Sequence, residues 1–153
     1  MCILVFDQTI HLSFKTPIPS GVSNDAILAI LHDPVTMITL NPLVISQKLT
    51  SAPGVTPAVY SITDKLPIGT TTYTASFTNT ATGMSSTVDA SLGLKTTGVW
   101  SIVQGDSGMV LDEEVDVTGN RLVVPFVKGQ IESSHQELHK ALIAKVSAGG
   151  SSA

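Results

Sequence analysis

The last third of the chain carries one continuous amphipathic stripe. Apolar or small side chains recur every three or four residues between positions 123 and 146, which is the spacing of one helix face. The stripe consists of Val127, Ile131, Ser134, His135, Leu138, Ala141 and Leu142. The pattern predicts one long helix over 123–146 whose apolar face must be covered by the rest of the protein.

Most residues before this helix belong to short runs in which apolar and polar side chains alternate, the period of half-buried strands. The first run covers residues 4–14, and Pro17 ends it. Six further runs, separated by turn residues, are predicted at 43–49, 58–66, 71–78, 84–92, 94–103 and 109–118. Links this short favour an antiparallel meander over parallel βαβ units.

Two short helical segments are predicted between the first strand and the meander. Ser23 is a suitable N-cap for a helix over 24–32, which Pro34 ends, and a second turn covers 35–38. The complete order predicts an α+β fold in which a curved antiparallel sheet of about seven strands wraps around the long C-terminal helix. Residues 1–147 are expected to form one domain, and 148–153 a disordered, low-complexity tail.

Small side chains on one face of the meander predict a cavity. Strand alternation places Ala58, Ala75, Ala90 and Gly98 on the face that meets the helix. These residues are too small to fill the space between sheet and helix, so we expect a pocket there. The alternative is that a strongly curved sheet needs small residues where it closes on itself.

Composition excludes several kinds of partner. The formal charge is −4 and there is a single arginine, so no basic stripe exists for nucleic acid. No apolar run approaches the roughly 20 residues of a membrane-spanning helix, and we expect no membrane insertion. One cysteine, Cys2, excludes an intramolecular disulfide, and the N-terminus lacks the basic segment of a signal peptide. These features predict a cytoplasmic protein, and its low charge is compatible with a homodimer through a strand edge.

Several segments resemble a known family. They are residues 40–44 (LNPLV), 59–65 (VYSITDK), 99–100 (VW) and 126–135 (FVKGQIESSH). They resemble a fungal family of unknown function in the helix-grip superfamily, which includes START-type lipid-transfer domains, the birch-pollen allergen group and aromatic polyketide cyclases. The resemblance spans about 14–146 and implies a hydrophobic pocket under the last helix. It implies no mechanism, because the superfamily includes carriers, sensors and enzymes.

Glu113 is the leading candidate for chemistry in this pocket. Alternation places it with Leu111 and Val115 on the inner face, where burial would raise its pKa toward the range useful for proton transfer. The alternative is a structural glutamate that pairs with Arg121 or a lysine. Asp64 also has inward parity and is kept as a candidate substrate contact. A turn-capping role is the preferred interpretation of Asp64, because Lys65 and Pro67 indicate that the strand ends there.

Two histidines belong to the stripe, His135 at its centre and His139 at its edge. An imidazole under the helix can exchange a proton with a ligand, or it can be a core histidine bonded to a neighbouring strand. The His-x-x-x-His spacing also suits metal binding. However, Glu137 is not where a zinc hydrolase motif requires its glutamate, and no third ligand is evident. We predict no metal and no cofactor.

Inward aromatic residues complete the predicted site. Tyr60, Tyr73 and Trp100 combine flat rings with a polar atom, which suits a flat hydrophobic ligand, although they can equally be core residues. The predicted catalytic residues are Glu113, His135 and Tyr73. The predicted substrate-contact residues are Tyr60, Asp64, Phe77, Trp100, Ile131 and Leu138.

Two functions of different classes fit these features. One is a cofactor-free cyclase, isomerase or related lyase of secondary metabolism, in which the pocket orients a hydrophobic substrate. The other is a non-catalytic carrier or sensor for a lipid or small molecule. A third interpretation is a regulatory interaction domain with a filled core. Several inward polar groups favour the enzyme, since a lipid carrier needs a large and nearly all-apolar pocket.

Overall fold

The computed structural model describes residues 7–149, which form one seven-stranded sheet and three α-helices. In chain order the elements are β1 (Asp7–Pro17), α1 (Asn24–Leu31), α2 (Pro34–Leu40), β2 (Val44–Leu49), β3 (Ala58–Lys65), β4 (Thr70–Thr80), β5 (Gly83–Asp89), β6 (Lys95–Gly105), β7 (Gly108–Asn120) and α3 (Val124–Gly149). The predicted order of elements, and with it the helix-grip arrangement, is confirmed.

The sheet is antiparallel throughout, with the spatial order β1-β7-β6-β5-β4-β3-β2. Strands β2 to β7 form the predicted meander of neighbours. The first strand is different, because β1 pairs with the last strand along their whole length, from Asp7 opposite Asn120 to Pro17 opposite Val110. The chain therefore brings its first and last strands together, and α3 leaves the sheet beside β1.

Local signals explain the two short helices. The hydroxyl group of Ser23 accepts a hydrogen bond from the amide of Ala26, as expected for an N-cap. Asp33 caps α2 in the same way by accepting from the amide of Thr36. Pro34 begins α2, a position where its missing N–H group costs nothing. α2 therefore begins one residue before the predicted 35–38 segment, and it also continues two residues beyond it.

Most predicted strand boundaries agree with the structure to within three residues, and two other differences change the assignment of a segment. The strand predicted at 84–92 is too long, because β5 ends at Asp89 and residues 91–93 form a short 3-10 turn. The last helix continues to Gly149 and so contains the first two residues of the predicted tail. The remainder of that tail, and the predicted strand residues 4–6, lie outside the described residues. No helix within 7–149 is long and apolar enough to cross a membrane.

Two groups of core residues fix α3 to the sheet at its two ends. Near its start, Val124 packs with Leu12, Val115 and Val117 of β1 and β7. Toward its end, Leu138, Leu142 and Val146 pack with Ile27, Leu31, Met37, Met84, Trp100 and Leu111. Burial of these side chains stabilises the fold by roughly 25 cal/mol per Å² of apolar surface. Between the two groups, α3 crosses the part of the sheet that carries the small residues.

Gly83 allows β5 to approach β6 closely beside Trp100. A Cβ atom at Gly83 would lie 1.9 Å from the carbonyl oxygen of Trp100, whereas one at Gly129 in α3 would meet nothing within 4 Å. We expect Gly83→Ala to lower the free energy of unfolding by about 2–3 kcal/mol through overpacking. Gly129→Ala should raise it by about 1 kcal/mol, since alanine is the better helix former. Urea unfolding of both variants tests this, and equal stabilities would contradict the close approach.

Candidate functional site

A cavity of about 370 Å³ lies between α3 and the concave face of the sheet. Its volume is near the lower end of the range of roughly 300–1,000 Å³ that is usual for small-molecule sites. Ala75, Ala90 and Gly98 line it, as predicted from their size, while Ala58 lines a second and smaller pocket. The expected cavity is thus present. A domain with a completely filled core is excluded.

Most predicted contact residues reach this cavity. Asp64, Tyr73, Phe77, Trp100, Glu113, Ile131, His135 and Leu138 all line it. Tyr60 does not, and the prediction that it faces the cavity is wrong. Its ring packs edge-on against Phe77 at a centroid distance of 5.9 Å and clusters with Ile38 of α2. Because α2 covers this part of the concave face, Tyr60 is a core residue that borders the second pocket.

The centre of the site is the carboxyl group of Glu113 on β7, which is only 1% exposed. Two histidines of α3, one helical turn apart, hold its two oxygens. Nδ1 of His135 lies 2.6 Å from Oε2, and Nε2 of His139 lies 3.1 Å from Oε1. The predicted partners of Glu113, Arg121 or a lysine, are not the ones observed. The contact instead joins the central part of α3 to β7.

The expectation that burial raises the pKa of Glu113 is wrong. Burial does disfavour the charged carboxylate, but the hydrogen bonds and charges of His135 and His139 outweigh it, and the pKa of Glu113 lies below its ordinary value. An ionised carboxylate only accepts hydrogen bonds. Both facing ring nitrogens are therefore donors, which leaves Nε2 as the second nitrogen of His135. No residue in the described range 7–149 forms a hydrogen bond with that Nε2 atom.

The helical spacing predicted His139 at the edge of the apolar stripe, but the structure buries this residue in the site. Its side chain is 3% exposed, and its Nδ1 atom lies 2.8 Å from the hydroxyl oxygen of Thr16 on β1. Trp100 stacks on its ring with a centroid distance of 4.6 Å. Phe14 stacks on His135 at 5.6 Å. These neighbours hold both imidazole rings in place. In the sequence, the inward parity of Phe14 and Thr16 on β1 was the signal that could have predicted their contact with the histidines.

A second polar group lines the cavity, on β3 and β4. Asp64 lies within β3 and is 9% exposed, so its preferred interpretation as a turn-capping residue is wrong. Its Oδ1 atom accepts a hydrogen bond of 3.0 Å from the hydroxyl group of Tyr73. Burial raises the pKa of Asp64 above its ordinary value, and the hydrogen bond from Tyr73 and the charge of His135 only partly oppose this. Burial also raises the pKa of Tyr73, which stays a neutral donor.

The pKa values of the two carboxyl groups are therefore shifted in opposite directions, upward for Asp64 and downward for Glu113. Asp64 and Glu113 belong to strands with three others between them in the sheet, yet both line the same cavity because the sheet is curved. Carboxyl groups whose pKa values are moved apart are suited to different roles in proton transfer. Met84 and Ser86 also line the cavity, and they share the inward parity of Val88, from which they could have been predicted.

The raised pKa of Asp64 predicts that this residue destabilises the fold at neutral pH. Above the ordinary pKa of 3.8, the unfolded chain releases a proton that the folded protein retains, so stability falls as pH rises toward the folded pKa. Asp64→Asn keeps an acceptor for Tyr73 and removes this penalty. We expect the variant to be more stable than the parent protein at pH 7 and equally stable well below pH 3.8 in urea unfolding. Lower stability at pH 7 would contradict the assignment.

Solved structures of low sequence identity share the fold. A norcoclaurine synthase from Thalictrum flavum has a TM-score of 0.68 and 15% identity, covering 98% of this chain and 100% of its own. The ZhuI aromatase/cyclase from Streptomyces sp. R1128 has a TM-score of 0.68 and 9% identity, with coverage of 93% and 94%. A START superfamily protein from Mycobacterium smegmatis has a TM-score of 0.66 and 16% identity, with coverage of 92% and 97%. The helix-grip fold is thereby established.

Similarity at the level of sequence is more limited than similarity of fold. No curated protein sequence matches the chain. One family model matches residues 7–148, which is nearly the whole chain and includes every residue of the site. The fungal origin of the family stays a prediction. The chain, whose fold is the helix-grip fold, belongs to the family described as Domain of unknown function (DUF7053).

Proposed function

We propose that this protein binds a hydrophobic small molecule in the cavity under α3 and catalyses a proton-transfer reaction on it. The reaction class is cyclisation, isomerisation or a related elimination in secondary metabolism, without a cofactor. The observation that carries the proposal is the hydrogen bond of 2.6 Å between Glu113 and His135 at the cavity wall. A buried carboxylate that holds one imidazole nitrogen orients the ring and leaves the other nitrogen to act as a base.

In this proposal His135 is the general base and Glu113 its positioning residue. A carboxylate on Nδ1–H selects the tautomer in which Nε2 carries the lone pair, and it stabilises the imidazolium that forms when the base takes a proton. His139 occupies the second oxygen of Glu113 and contacts Thr16 behind it. This arrangement keeps the carboxylate directed at His135 rather than at a ligand.

The pair formed by Asp64 and Tyr73 supplies the acid. Because burial raises the pKa of Asp64, this carboxyl group holds a proton at a higher pH than an exposed aspartate does. A substrate with a carbonyl group fits the arrangement: His135 removes a proton from the adjacent carbon while Asp64 delivers one to the oxygen, which yields the enol. In a cyclisation, the enol carbon then bonds to a second carbonyl carbon of the folded substrate, whose oxygen takes the proton from His135 while the enol O–H returns its proton to Asp64. In an isomerisation, another carbon of the substrate takes the proton from His135 instead, and the enol O–H again returns its proton to Asp64.

The cavity supports an enzyme more than a lipid carrier. Its volume of about 370 Å³ is modest, and polar groups with shifted pKa values lie on two of its walls. Similar structures include an aromatase/cyclase and a norcoclaurine synthase, although at 9% and 15% identity. A carrier or sensor is the second candidate, because most cavity-lining side chains are apolar. The cytoplasmic location and the homodimer stay predictions.

The catalytic proposal predicts a loss of turnover in Glu113→Gln. A glutamine in place of Glu113 can offer its NH₂ group to His135, which then accepts at Nδ1 and carries its proton on Nε2, where the base is needed. We expect kcat to fall by about 10²- to 10⁴-fold. Native mass spectrometry of protein from its own source identifies the retained compound, and turnover of that compound is the assay.

Matched variants complete this test. Glu114→Gln changes the neighbouring carboxylate, which faces the convex surface and contacts His11 and Ser13, and it should keep full activity. His135→Ala should be as inactive as Glu113→Gln. Full activity in both site variants would reject the roles of Glu113 and His135. Tight binding without any turnover by the parent protein would instead support the carrier.

Binding itself is tested by filling the cavity. Gly98 lines it from β6, and a Cβ atom there would meet only the hydroxyl oxygen of Ser86, at 3.0 Å. We expect Gly98→Val to fold, since valine suits strands, and to lose most of its affinity for the retained compound. Fluorescence of anilinonaphthalene sulfonate, a probe for apolar sites, provides a second measurement. Unchanged affinity for both molecules would show that they bind elsewhere.

A further inference from the structure

Four large apolar side chains are strongly exposed at one end of the molecule. Ile68 is 92% exposed, Leu92 and Leu122 are each 76% exposed, and Phe126 is 68% exposed. They belong to the β3–β4 turn, the β5–β6 turn, the β7–α3 connection and the first turn of α3. We call these four residues the apolar rim. Isolated apolar residues on a surface are normal, but a group of this kind marks an interaction site.

The register of the sheet places these turns together. The end of β3 pairs with the start of β4, the end of β5 with the start of β6, and the start of β6 with the end of β7. All three connections therefore lie at the same end of the strands, which is the end where α3 begins. The apolar rim is thus contributed by separate connections at one end of the sheet.

Two residues of the apolar rim lie at the entrance of the cavity, and the other two are close in sequence to residues that line it. Leu92 and Phe126 line the cavity although they are largely exposed, so the cavity reaches the surface between them. Leu66 and Val123, the near neighbours of the two other rim residues, also line it. A hydrophobic molecule that enters or leaves the cavity here passes between apolar side chains.

The local backbone conformation directs two of these side chains, Leu92 and Leu122, toward solvent. Leu92 has a φ of 64°, a left-handed conformation that leucine rarely adopts and that glycine or asparagine adopts readily. Leu122 is held by a turn in which its amide donates to the side-chain oxygen of Asn120 at 2.8 Å. A strained backbone that displays an apolar side chain to water works against stability, which points to a role in binding.

Three cations beside the apolar rim form no ion pair with another residue of the described range 7–149. Lys65, Lys95, Arg121 and Lys128 lie next to its members in sequence, and they are half of the basic residues of the chain. Within residues 7–149, only Lys128 of these four forms an ion pair, with Glu132. The exposed acidic residues of this end are Asp7, Asp89 and Glu132, of which Glu132 pairs with Lys128, while Asp64 is buried in the cavity. Half of the cations therefore lie around the cavity entrance, whereas most of the carboxyl groups lie elsewhere in the chain.

We propose that the apolar rim docks on the surface of an anionic lipid bilayer, so that the cavity opens directly into the lipid. Exposed aliphatic and aromatic side chains flanked by lysine and arginine are the combination that binds the interface of anionic membranes. The ligand then exchanges between bilayer and cavity without crossing water. This inference does not depend on whether the protein is an enzyme.

A second copy of the chain fits the same surface less well. A symmetric contact between two apolar rims would bring the same patch together twice, and with it Lys65, Lys95 and Arg121 of both copies. Like charges would then oppose the contact. An anionic bilayer provides the apolar phase and the opposite charge together.

Flotation with vesicles tests the proposal. We expect the full chain to bind vesicles of phosphatidylcholine and phosphatidylserine, to bind pure phosphatidylcholine weakly, and to dissociate at high salt. The double variant Ile68→Asn/Leu122→Asn removes rim side chains that do not line the cavity, and it should lower binding tenfold or more, on the order of the burial of two aliphatic side chains. Val55→Asn, which changes an equally apolar residue that is 51% exposed at the opposite end, is the matched control.

Two further variants separate docking from folding. Leu92→Asn suits the left-handed backbone, so it should unfold at the same or a higher temperature while it binds vesicles less. Arg121→Gln should weaken binding about fivefold, and Lys145→Gln, near the other end of α3, should not. Absence of binding to phosphatidylserine vesicles at low salt, or an equal loss with Val55→Asn, would overturn the proposal. So would a dimer in light scattering that Ile68→Asn/Leu122→Asn converts to a monomer, because a second copy would then cover the rim.

Discussion

The contact between Glu113 and the two histidines of α3 is the constraint on which the rest of the structure depends. A carboxylate that is 1% exposed is tolerated only if its hydrogen bonds offset the loss of water, and His135 and His139 provide them. Removing one partner from a buried charged group of this kind costs on the order of 3–5 kcal/mol. The contact therefore sets both the rotation of α3 and its position over β7.

This position of α3 explains the cavity. The helix packs on β1 and β7 near its start and on α1, α2 and β6 toward its end. Between these points it faces Ala75, whose methyl group does not reach the helix, and Gly98, which has no side chain. Met37 and Ile38 of α2 line the cavity and close it on one side. An empty volume in a close-packed protein costs stability, and here it persists because α3 is held on both sides of it.

The residues proposed to act on a ligand lie deep in the cavity, whereas the residues at its entrance lie at the surface. The carboxylate of Glu113 and its histidines lie against β7 and β1, away from water, and the pair formed by Asp64 and Tyr73 lies on β3 and β4. Within residues 7–149 no fully buried side-chain nitrogen or oxygen lacks a hydrogen-bond partner, so the orientation of these groups is fixed without a ligand. The exposed apolar side chains are confined to the turns at the entrance. Function is thus distributed between a rigid interior and the ends of the strands.

The sequence by itself determined the elements, their order and the inward face of each strand, because side-chain alternation and helical spacing are local properties of the chain. Alternation therefore identified Glu113, Trp100 and Phe77, and the stripe identified His135. Only the tertiary structure decided that His139 is buried, since this follows from the pairing of β1 with β7, two strands about a hundred residues apart in sequence. It also decided that α2 covers Tyr60 and that Asp64 lies inside the cavity. The direction of the pKa shift of Glu113 depended on partners from another element, and no local pattern specifies those partners.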